Sequence, residues 1–221
     1  MILIPVKNLS SAKQRLASMF DQPARTELAQ AMLHDVVAAV AAWQRRPPCA
    51  LVTSDPFATD LAGKFTFEII PDPANPGETG AIEMATRLCV ERGTEYTLVI
   101  PADIPLIQAS ELDQILAHAP EAGSVLVPAA DGRGTNAAFR RPADLFPLRF
   151  GNDSFKPHLA AAKATGKPCK VLQLPGIALD VDIPSDLQDL LAVTGETSAQ
   201  SVVRRWSLGN GFLAATRTGR L

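Results

Sequence analysis

Short apolar runs alternate along the chain with longer stretches in which apolar residues recur at helical spacing. Runs such as Leu98-Val99-Ile100 are apolar at consecutive positions rather than at every second one, so the strands they predict are buried on both faces. Strands are predicted at residues 2–6, 50–53, 67–70, 97–100, 125–128 and 171–174, and helices at 25–43, 81–92, 111–118 and 155–165. This alternation implies βαβ units, and therefore an α/β fold with a central, largely parallel sheet.

Composition sets the broad class of protein. The chain has 221 residues, and its 21 basic and 23 acidic side chains leave a formal net charge of -2. Residues 1–195 are predicted to form one domain, which at this size can bury its own core. The near-neutral balance argues against a nucleic-acid partner, because binding to phosphate backbones draws on clustered Lys and Arg. No run approaches the ~20 apolar residues that a bilayer requires, and no signal-peptide pattern opens the chain, so we expect a cytoplasmic protein without a membrane partner.

The C-terminal residues 196–221 differ from the rest. They lose strand character, and they are predicted to dock on the domain or on a second subunit, as a homodimer contact; a disordered tail is the alternative. Two sets of side chains carry this prediction, apolar ones that require burial and arginines opposed by the single acid Glu196: Val202, Val203, Trp206, Phe212 and Leu213, with Arg204, Arg205, Arg217 and Arg220.

Several common catalytic motifs are absent from the sequence, among them the P-loop, H-E-x-x-H and G-x-S-x-G. His34, His118 and His158 share no spacing, and a surface or capping role is predicted for each. The segment from Gly132 to Ala137 matches G-x-G-x-x-A, but a strand-like segment follows it where a dinucleotide site needs a helix. We therefore expect a tight loop whose backbone N–H groups can approach an anion.

Charged residues follow the predicted strands at the edge where an open α/β sheet binds ligands. Lys7, Lys13 and Arg15 come after the first strand, and three cations in nine residues can neutralise a polyphosphate. A solvated loop is the alternative. Asp103 follows the strand at 97–100 with prolines on both sides, and a carboxylate at the exit of a buried strand is costly unless it binds a cation or caps a helix.

Two later segments extend this pattern. Asp180 and Asp182 lie on one side of an extended segment, where a divalent cation would relieve their repulsion; the alternative for Asp182 is to cap the helix begun by Pro184. Gly151 and Ser154 precede the helix at 155–165, whose N-terminus favours an anion, and simple capping by Ser154 is again the alternative. Together these segments predict a phosphate-rich substrate bound with Mg²⁺.

Taken in order, these segments resemble the phospholactate guanylyltransferase family, called CofC, or FbiD in actinobacteria, which acts in the biosynthesis of coenzyme F-420. The resemblance spans residues 4–187. It is carried by I-P-V-K-x-x-x-x-A-K-x-R-L, A-D-[IL]-P-L, G-x-G-T-N-A, F-G-x-x-S-F-x-x-H and D-V-D-x-P-x-D-L.

The resemblance implies a Rossmann-like nucleotidyltransferase fold of the GT-A type, with helices on both faces of a mostly parallel sheet. It implies transfer of GMP from GTP to a three-carbon phosphoacid with release of diphosphate. Lys7 and Asp103 are then catalytic, and Asp103, Asp180 and Asp182 hold Mg²⁺, with Asp182 preferred within the pair. The remaining implied contacts are to the nucleotide, from Lys7, Lys13, Arg15, Gly77, Thr79, Pro101 and Ala102, and to the phosphoacid, from Thr135, Gly151 and Ser154.

One departure from the family pattern concerns the base. Where the family reads G-L-N-x-A, this chain has Gly77-Glu78-Thr79-Gly80-Ala81, so Thr79 replaces an asparagine. Thr offers one hydroxyl where Asn offers a donor and an acceptor, so guanine recognition is expected to rest on backbone groups.

Two other functions fit parts of the sequence. A GT-A sugar-nucleotide glycosyltransferase would use Asp180-Val181-Asp182 as its D-x-D metal motif, and a non-catalytic nucleotide-binding regulator would keep the cations and acids without turnover. For the guanylyltransferase, 2-phospho-L-lactate, phosphoenolpyruvate and 3-phospho-D-glycerate are candidate acceptors. The resemblance to the bacterial branch favours 3-phospho-D-glycerate.

Overall fold

In the computed structural model, which describes residues 1–74, 77–151 and 153–210, seven strands form one mixed sheet. Its strands are β1 (Ile2–Pro5), β2 (Cys49–Val52), β3 (Glu68–Ile70), β4 (Thr97–Val99), β5 (Gly123–Pro128), β6 (Thr135–Arg141) and β7 (Cys169–Val171). Their order across the sheet is β3-β2-β1-β4-β6-β5-β7. Strand β6 runs antiparallel to both neighbours, and every other pair is parallel. The prediction of a mostly parallel sheet is confirmed.

Helices cover both faces of this sheet. They are α1 (Gln22–Ala42), α2 (Pro56–Phe65), α3 (Glu78–Glu91), α4 (Ala109–His118), α5 (Phe155–Ala164), α6 (Pro175–Ala178), α7 (Pro184–Ala192) and α8 (Ser198–Asn210). None of the described helices is both long enough and apolar enough to cross a membrane.

Two hydrophobic cores, one on each face, explain why the strands are continuously apolar. In β1, Ile2 and Ile4 point into the core that contains α1, whereas Leu3 points into the core that contains α3. All three side chains are fully buried. Alternate residues of a central strand face opposite sides, so a strand covered on both sides needs apolar residues at every position.

Several elements differ from the prediction, among them the four-residue helix α6, which was not predicted. Helix α2, in which Ala58, Leu61 and Ala62 are buried, was not predicted. Asp55 starts it by accepting a hydrogen bond from the Ala58 N–H, with Pro56 in the first turn. The last strand was predicted at 171–174 but lies at the sheet edge as β7, two residues earlier, and the leucines that follow pack on the core.

Much of the predicted C-terminal tail is α8, which packs on α1. The carboxylate of Asp35 accepts hydrogen bonds from the N–H groups of Ser198 and Ala199, both at 2.8 Å. Towards the other end of α8, the rings of Trp206 and Phe20 lie 4.3 Å apart between centroids. These contacts run in opposite directions along the two helices, which are therefore antiparallel. Four residues named for the tail lie outside the described residues: Phe212, Leu213, Arg217 and Arg220.

Backbone hydrogen bonds bring distant segments to the carboxyl-end edge of the parallel strands. The Val181 N–H donates to the Asp103 carbonyl at 3.1 Å, and the Ala130 N–H donates to the Ala178 carbonyl at 2.8 Å. The connection between α6 and α7 thus crosses the ends of β4 and β5. Strand β6 is antiparallel, so it begins with Thr135 at this same edge.

Candidate active site

Two adjoining cavities open at this edge of the sheet, with volumes of about 440 and 660 Å³. The first lies between the segment after β1 and the N-terminal half of α1, and the second lies beside the loops at 129–136 and 150–154. Six described residues line both cavities: Lys7, Arg15, Glu78, Pro101, Asp103 and Asp182. A ligand in one cavity therefore lies next to a ligand in the other.

Lys13 forms the centre of the charged site. Its Nζ lies 2.7 Å from Asp103 Oδ2 and 2.7 Å from Asp182 Oδ1, and its side chain is only 8% exposed. Its backbone is left-handed, with φ of 54°, which turns the chain before the short 3-10 turn at Gln14–Leu16. Burial opposes the charge on Lys13, but the two carboxylates outweigh it and raise the pKa of the ammonium above its ordinary value.

Asp182 faces Lys13 because another residue caps α7. Asp186 Oδ2 accepts hydrogen bonds from the backbone N–H groups of Asp182 and Ile183, at 2.7 and 2.8 Å. The Asp182 carboxylate is thereby spared for side-chain partners, and Arg15 Nη1 lies 3.5 Å from its second oxygen. Capping was the alternative role for Asp182, but its carboxylate makes no capping bond to α7, and Asp186 instead binds the backbone N–H groups just before the helix.

The carboxylates of Asp103 and Asp182 would fit a magnesium ion in place of the Lys13 ammonium that lies between them. Two oxygens that each lie 2.7 Å from one Nζ are at most about 5.4 Å apart, so both already converge on a cation. One or two carboxylates completed by substrate phosphates are the usual donor set for Mg²⁺. Among the described residues, no cluster of three or more acidic, His or Cys side chains is arranged to hold a metal. The pair would therefore depend on phosphate oxygens to complete its shell.

Asp180, the third predicted ligand, is held differently. Its Oδ1 accepts a hydrogen bond from Asn136 Nδ2 at 3.0 Å, and the same amide donates to the carbonyls of Ile177 and Ala178. Burial, with a smaller contribution from the Asp103 charge, raises the pKa of Asp180 although the Asn136 bond opposes the shift. Asp180 lines the second cavity only.

Glu78 is a functional candidate that the sequence reasoning missed. It lines both cavities, and no hydrogen-bond partner of its carboxyl group lies within the described part of the chain. Burial raises its pKa to about 7, and the charges of Asp103 and Asp182 add to the shift while Lys7 opposes it. Glu78 stands at the position where the family pattern has leucine, and this replacement was the sequence feature that could have identified it.

The other residues predicted to bind nucleotide divide into two groups. Ala102 lines the first cavity, and Lys7 and Pro101 line both. Gly77 and Thr79 are absent from the described lining of either cavity. Thr79 Oγ1 instead accepts from the Phe150 N–H at 2.9 Å and donates to the Phe150 carbonyl at 3.3 Å, which ties α3 to the loop before α5.

The residues predicted to bind phosphoacid meet in the second cavity. Thr135, Gly151 and Ser154 all line it. Ser154 Oγ accepts a hydrogen bond from the Thr135 N–H at 3.1 Å and makes no capping bond to α5. Gly151 has φ of 136°, a conformation that side chains disfavour, and a Cβ there would meet no atom within 4 Å. The positive φ, rather than close packing, is what favours glycine.

His158 lies directly behind these hydroxyls, and the prediction of a surface or capping role for it is wrong. It is 1% exposed, its Nδ1 lies 2.9 Å from Thr135 Oγ1, and its Nε2 accepts from the Arg149 N–H at 2.7 Å. Burial lowers the pKa of this imidazole to about 4, and the nearby Arg140 charge contributes. The signal in the sequence was its spacing, one helical turn after Ser154.

Comparison with known proteins decides the family. The model of the family described as "Guanylyl transferase CofC like" matches residues 1–217. The chain belongs to this guanylyl transferase family. Members of the CofC-like family are nucleotidyltransferases, so this protein is one, and the family expected from the motifs is confirmed.

Curated relatives of the CofC-like chain are named for three different phosphoacids. It is 34% identical over 201 residues to phosphoenolpyruvate guanylyltransferase of Sphaerobacter thermophilus, covering 90% of this chain and 97% of the relative. It is 30% identical to 2-phospho-L-lactate guanylyltransferase of Methanothermobacter thermautotrophicus, covering 92% and 89%. It is 29% identical to 3-phospho-D-glycerate guanylyltransferase of Colwellia psychrerythraea, covering 91% and 95%.

Solved structures confirm the fold. A protein of Desulfovibrio desulfuricans G20, described as a nucleotide-diphospho-sugar transferase, superimposes with a TM-score of 0.75 at 17% identity, covering 97% of this chain and 96% of the other. CMP:2-keto-3-deoxy-manno-octonic acid synthetase superimposes with a TM-score of 0.57 at 13% identity, covering 87% and 96%. The predicted nucleotidyltransferase fold with helices on both faces is therefore correct.

Proposed function

We propose that this CofC-like protein transfers GMP from GTP to a three-carbon phosphoacid and releases diphosphate, as a cytoplasmic step of coenzyme F-420 biosynthesis. The observation that carries the proposal is the shared wall of the two cavities. There Asp103 and Asp182 converge on one cation position, which the Lys13 ammonium fills in this structure, with Lys7 and Arg15 beside them. One cavity has the cation-bearing segment after β1 for a triphosphate, and the other has hydroxyl groups for a smaller anion.

The reaction forms one bond and breaks one. An oxygen of the acceptor phosphate attacks the α-phosphorus of GTP, and the bond from that phosphorus to the bridging oxygen of the diphosphate breaks. A phosphate monoester has a second pKa near 6, so the acceptor is mostly a dianion at neutral pH and needs no base to remove a proton. A general base is therefore not required. Accordingly, His158, the only imidazole near the site among the described residues, binds protein groups, the Arg149 N–H and the Thr135 hydroxyl.

The side chains of the site then position the reactants and neutralise their charge. Lys7 reaches both cavities, so it is placed to contact the phosphates of donor and acceptor. Arg15 provides a planar fork beside Asp182, suited to phosphate oxygens. Asp103 and Asp182 would hold Mg²⁺, which when bound neutralises phosphate charge and polarises the α-phosphorus.

The proposed acceptor site is the second cavity, which Thr135, Gly151 and Ser154 line. The sequence favoured 3-phospho-D-glycerate, which stays a prediction. The relative at 34% identity is named for phosphoenolpyruvate, whereas that named for 3-phospho-D-glycerate is 29% identical. These identities support phosphoenolpyruvate as the first acceptor to test.

The deciding assay measures diphosphate release. The protein is incubated with Mg²⁺, one of the four ribonucleoside triphosphates, and phosphoenolpyruvate, 3-phospho-D-glycerate or 2-phospho-L-lactate, singly and in competition. We expect release that requires both GTP and one phosphoacid, with a guanylylated product of matching mass. Transfer of a sugar from a nucleotide sugar would favour the glycosyltransferase, and nucleotide binding without turnover of any acceptor would favour the regulator.

The role of Asp103 is tested by Asp103→Ala. We expect kcat/KM to fall by about 10³-fold or more, because the variant loses one of the two carboxylates that hold the metal. Asp60→Ala is the matched control, since Asp60 is exposed on α2 and lines neither cavity. An active Asp103→Ala enzyme would remove this assignment.

A further inference from the structure

We propose that His158 is a positioning residue that fixes the Thr135 hydroxyl as a hydrogen-bond donor to the anionic acceptor in the second cavity. The inference rests on the proposed function for the identity of that anion. The donor and acceptor roles themselves follow from the hydrogen bonds around the imidazole.

The Arg149 backbone settles which nitrogen of His158 carries the proton. The Arg149 N–H can only donate, and it lies 2.7 Å from His158 Nε2, so Nε2 is the acceptor. In a neutral imidazole the proton is then on Nδ1. Burial and the Arg140 charge lower the pKa of His158 to about 4, so the ring is neutral at physiological pH.

The proton on Nδ1 decides the direction of the neighbouring hydroxyl. His158 Nδ1 lies 2.9 Å from Thr135 Oγ1 and donates to it. The hydroxyl hydrogen of Thr135 must point elsewhere, and within the described part of the chain no other group accepts it. Thr135 lines the second cavity, so this hydrogen is available to a ligand there.

Ser154 is arranged in the same way. Its Oγ accepts from the Thr135 N–H at 3.1 Å, and the described residues offer its own hydrogen no acceptor. Thr135 and Ser154 are 5% and 4% exposed. Each hydroxyl oxygen thus accepts a hydrogen bond from the protein, and each hydroxyl hydrogen remains to be donated. A phosphate dianion or a carboxylate can only accept, so this arrangement matches it.

The opposite tautomer would reverse the polarity. With the proton on Nε2, Nδ1 would accept the hydroxyl hydrogen of Thr135, and only oxygen lone pairs would face the anion. That tautomer would also oppose the Arg149 N–H with a second donor. The Arg149 N–H therefore sets the tautomer of His158, and through it the direction in which the Thr135 hydroxyl points in the cavity.

The tautomer can be tested on the unmodified protein. The chain has three histidines, so long-range proton–nitrogen NMR spectra of protein labelled with nitrogen-15 in histidine contain few signals, and His158→Asn identifies the relevant one. We expect a neutral ring with its proton on Nδ1 between pH 6 and 8. A proton on Nε2 would overturn the inference whatever the enzyme's substrate.

Two variants separate the positioning role from a structural one. His158→Asn can place an amide NH₂ near the position of Nδ1 and keep the donor to Thr135, whereas His158→Gln reaches the position of Nε2 and keeps only the Arg149 contact. We expect His158→Gln to raise the KM for the phosphoacid about ten- to hundredfold, the loss of one charge-assisted hydrogen bond, with the KM for GTP unchanged. His158→Asn should stay within about threefold of the wild-type protein.

The reverse order, with His158→Gln active and His158→Asn impaired, would show that His158 only holds the Arg149 loop and would overturn the proposal. Equal KM increases for GTP and phosphoacid would do the same. Thermal unfolding of both variants confirms that they are folded. A wild-type protein that turns over no phosphoacid contradicts the proposed function instead, so the two failures are distinguishable.

Discussion

Replacing Lys13 by methionine should destabilise the protein through its two aspartates. The substitution keeps an apolar stem of similar length and removes the ammonium that lies 2.7 Å from both Asp103 and Asp182. The two carboxylate oxygens, at most about 5.4 Å apart, then face one another without a counter-ion. Two unit charges at that separation repel by about 3 kcal/mol at an effective dielectric constant of about 20.

The measured loss should be smaller than this repulsion. The side chains of Asp103 and Asp182 are 28% and 37% exposed, so water screens part of it, and removing a buried ammonium also saves its desolvation. We expect Lys13→Met to lower the free energy of unfolding by about 2 kcal/mol at pH 7 without Mg²⁺. For a chain of this length that is a fall of about 4–8 °C in Tm.

The deficit should depend on pH in a defined direction. Burial tends to raise the pKa of Asp182, but Lys13 outweighs it and holds the pKa below its ordinary value, so this stabilisation is present above about pH 4 and is lost as pH falls through the lowered pKa. The raised pKa of Lys13 contributes stability below about pH 10.4, which is lost only as pH rises through that pKa. The gap between wild type and variant is therefore widest between about pH 5 and 9 and closes in acid.

Scanning calorimetry across pH 3 to 9 measures this, with Lys7→Met as the matched control. Lys7 is exposed and makes no ion pair with any described residue, so its replacement should change stability by less than about 0.5 kcal/mol. An unchanged Tm for Lys13→Met at pH 7 would refute the reasoning. A deficit of the same size at pH 3.5 and pH 7 would assign the loss to packing of the lysine stem rather than to the carboxylates.

Two further predictions concern residues that hold the aspartates in place. Asp186→Ala removes the acceptor of the Asp182 N–H, so we expect the free energy of unfolding, measured in urea, to fall by about 1 kcal/mol and kcat to decrease. Replacing the exposed Asp189 on the same helix by Ala should change neither quantity, and equal kcat values for the two variants would contradict this positioning role. Asn136→Ala removes a buried amide with three acceptors, so we expect the free energy of unfolding to fall by about 2 kcal/mol in the same assay and, by NMR titration, the pKa of Asp180 to rise further. An unchanged pKa of Asp180 would show that the Asn136 bond does not set it.

The fold was predictable where burial is complete on both sides of the sheet. Strands β1, β2 and β4 are apolar at consecutive positions, and the sequence located each of them to within a residue or two. Prediction failed where burial is partial. In β7 Lys170 and Val171 are exposed, so the apolar pattern that guided the prediction belongs to the residues after the strand. In α2 the signal was present but was missed, because Phe57, Leu61 and Phe65 recur at helical spacing after the Asp55-Pro56 start.

The site was predictable as a set of strand ends but not as a set of contacts. The sequence placed Lys7, Lys13 and Arg15 together as cations for phosphate, and nothing in their order distinguishes them. The left-handed backbone at Lys13 and the Asp186 cap decide that Lys13 alone is enclosed by carboxylates. Such contacts depend on loop conformation, which leaves no periodic signal in the residues.

The charges that line the first cavity explain how a chain with a net charge of -2 could accommodate the polyanions proposed as its substrates. Three cations, Lys7, Lys13 and Arg15, line this cavity together with three carboxyl groups, those of Asp103, Asp182 and Glu78. The count is balanced only if all six are ionised. Burial and the neighbouring aspartates raise the pKa of Glu78 to about 7, which favours its protonated form more than in an ordinary glutamate and makes the cavity lining less negative. The positions and protonation of these groups, rather than the total charge of the chain, therefore set the local charge that the proposed triphosphate and phosphoacid would meet.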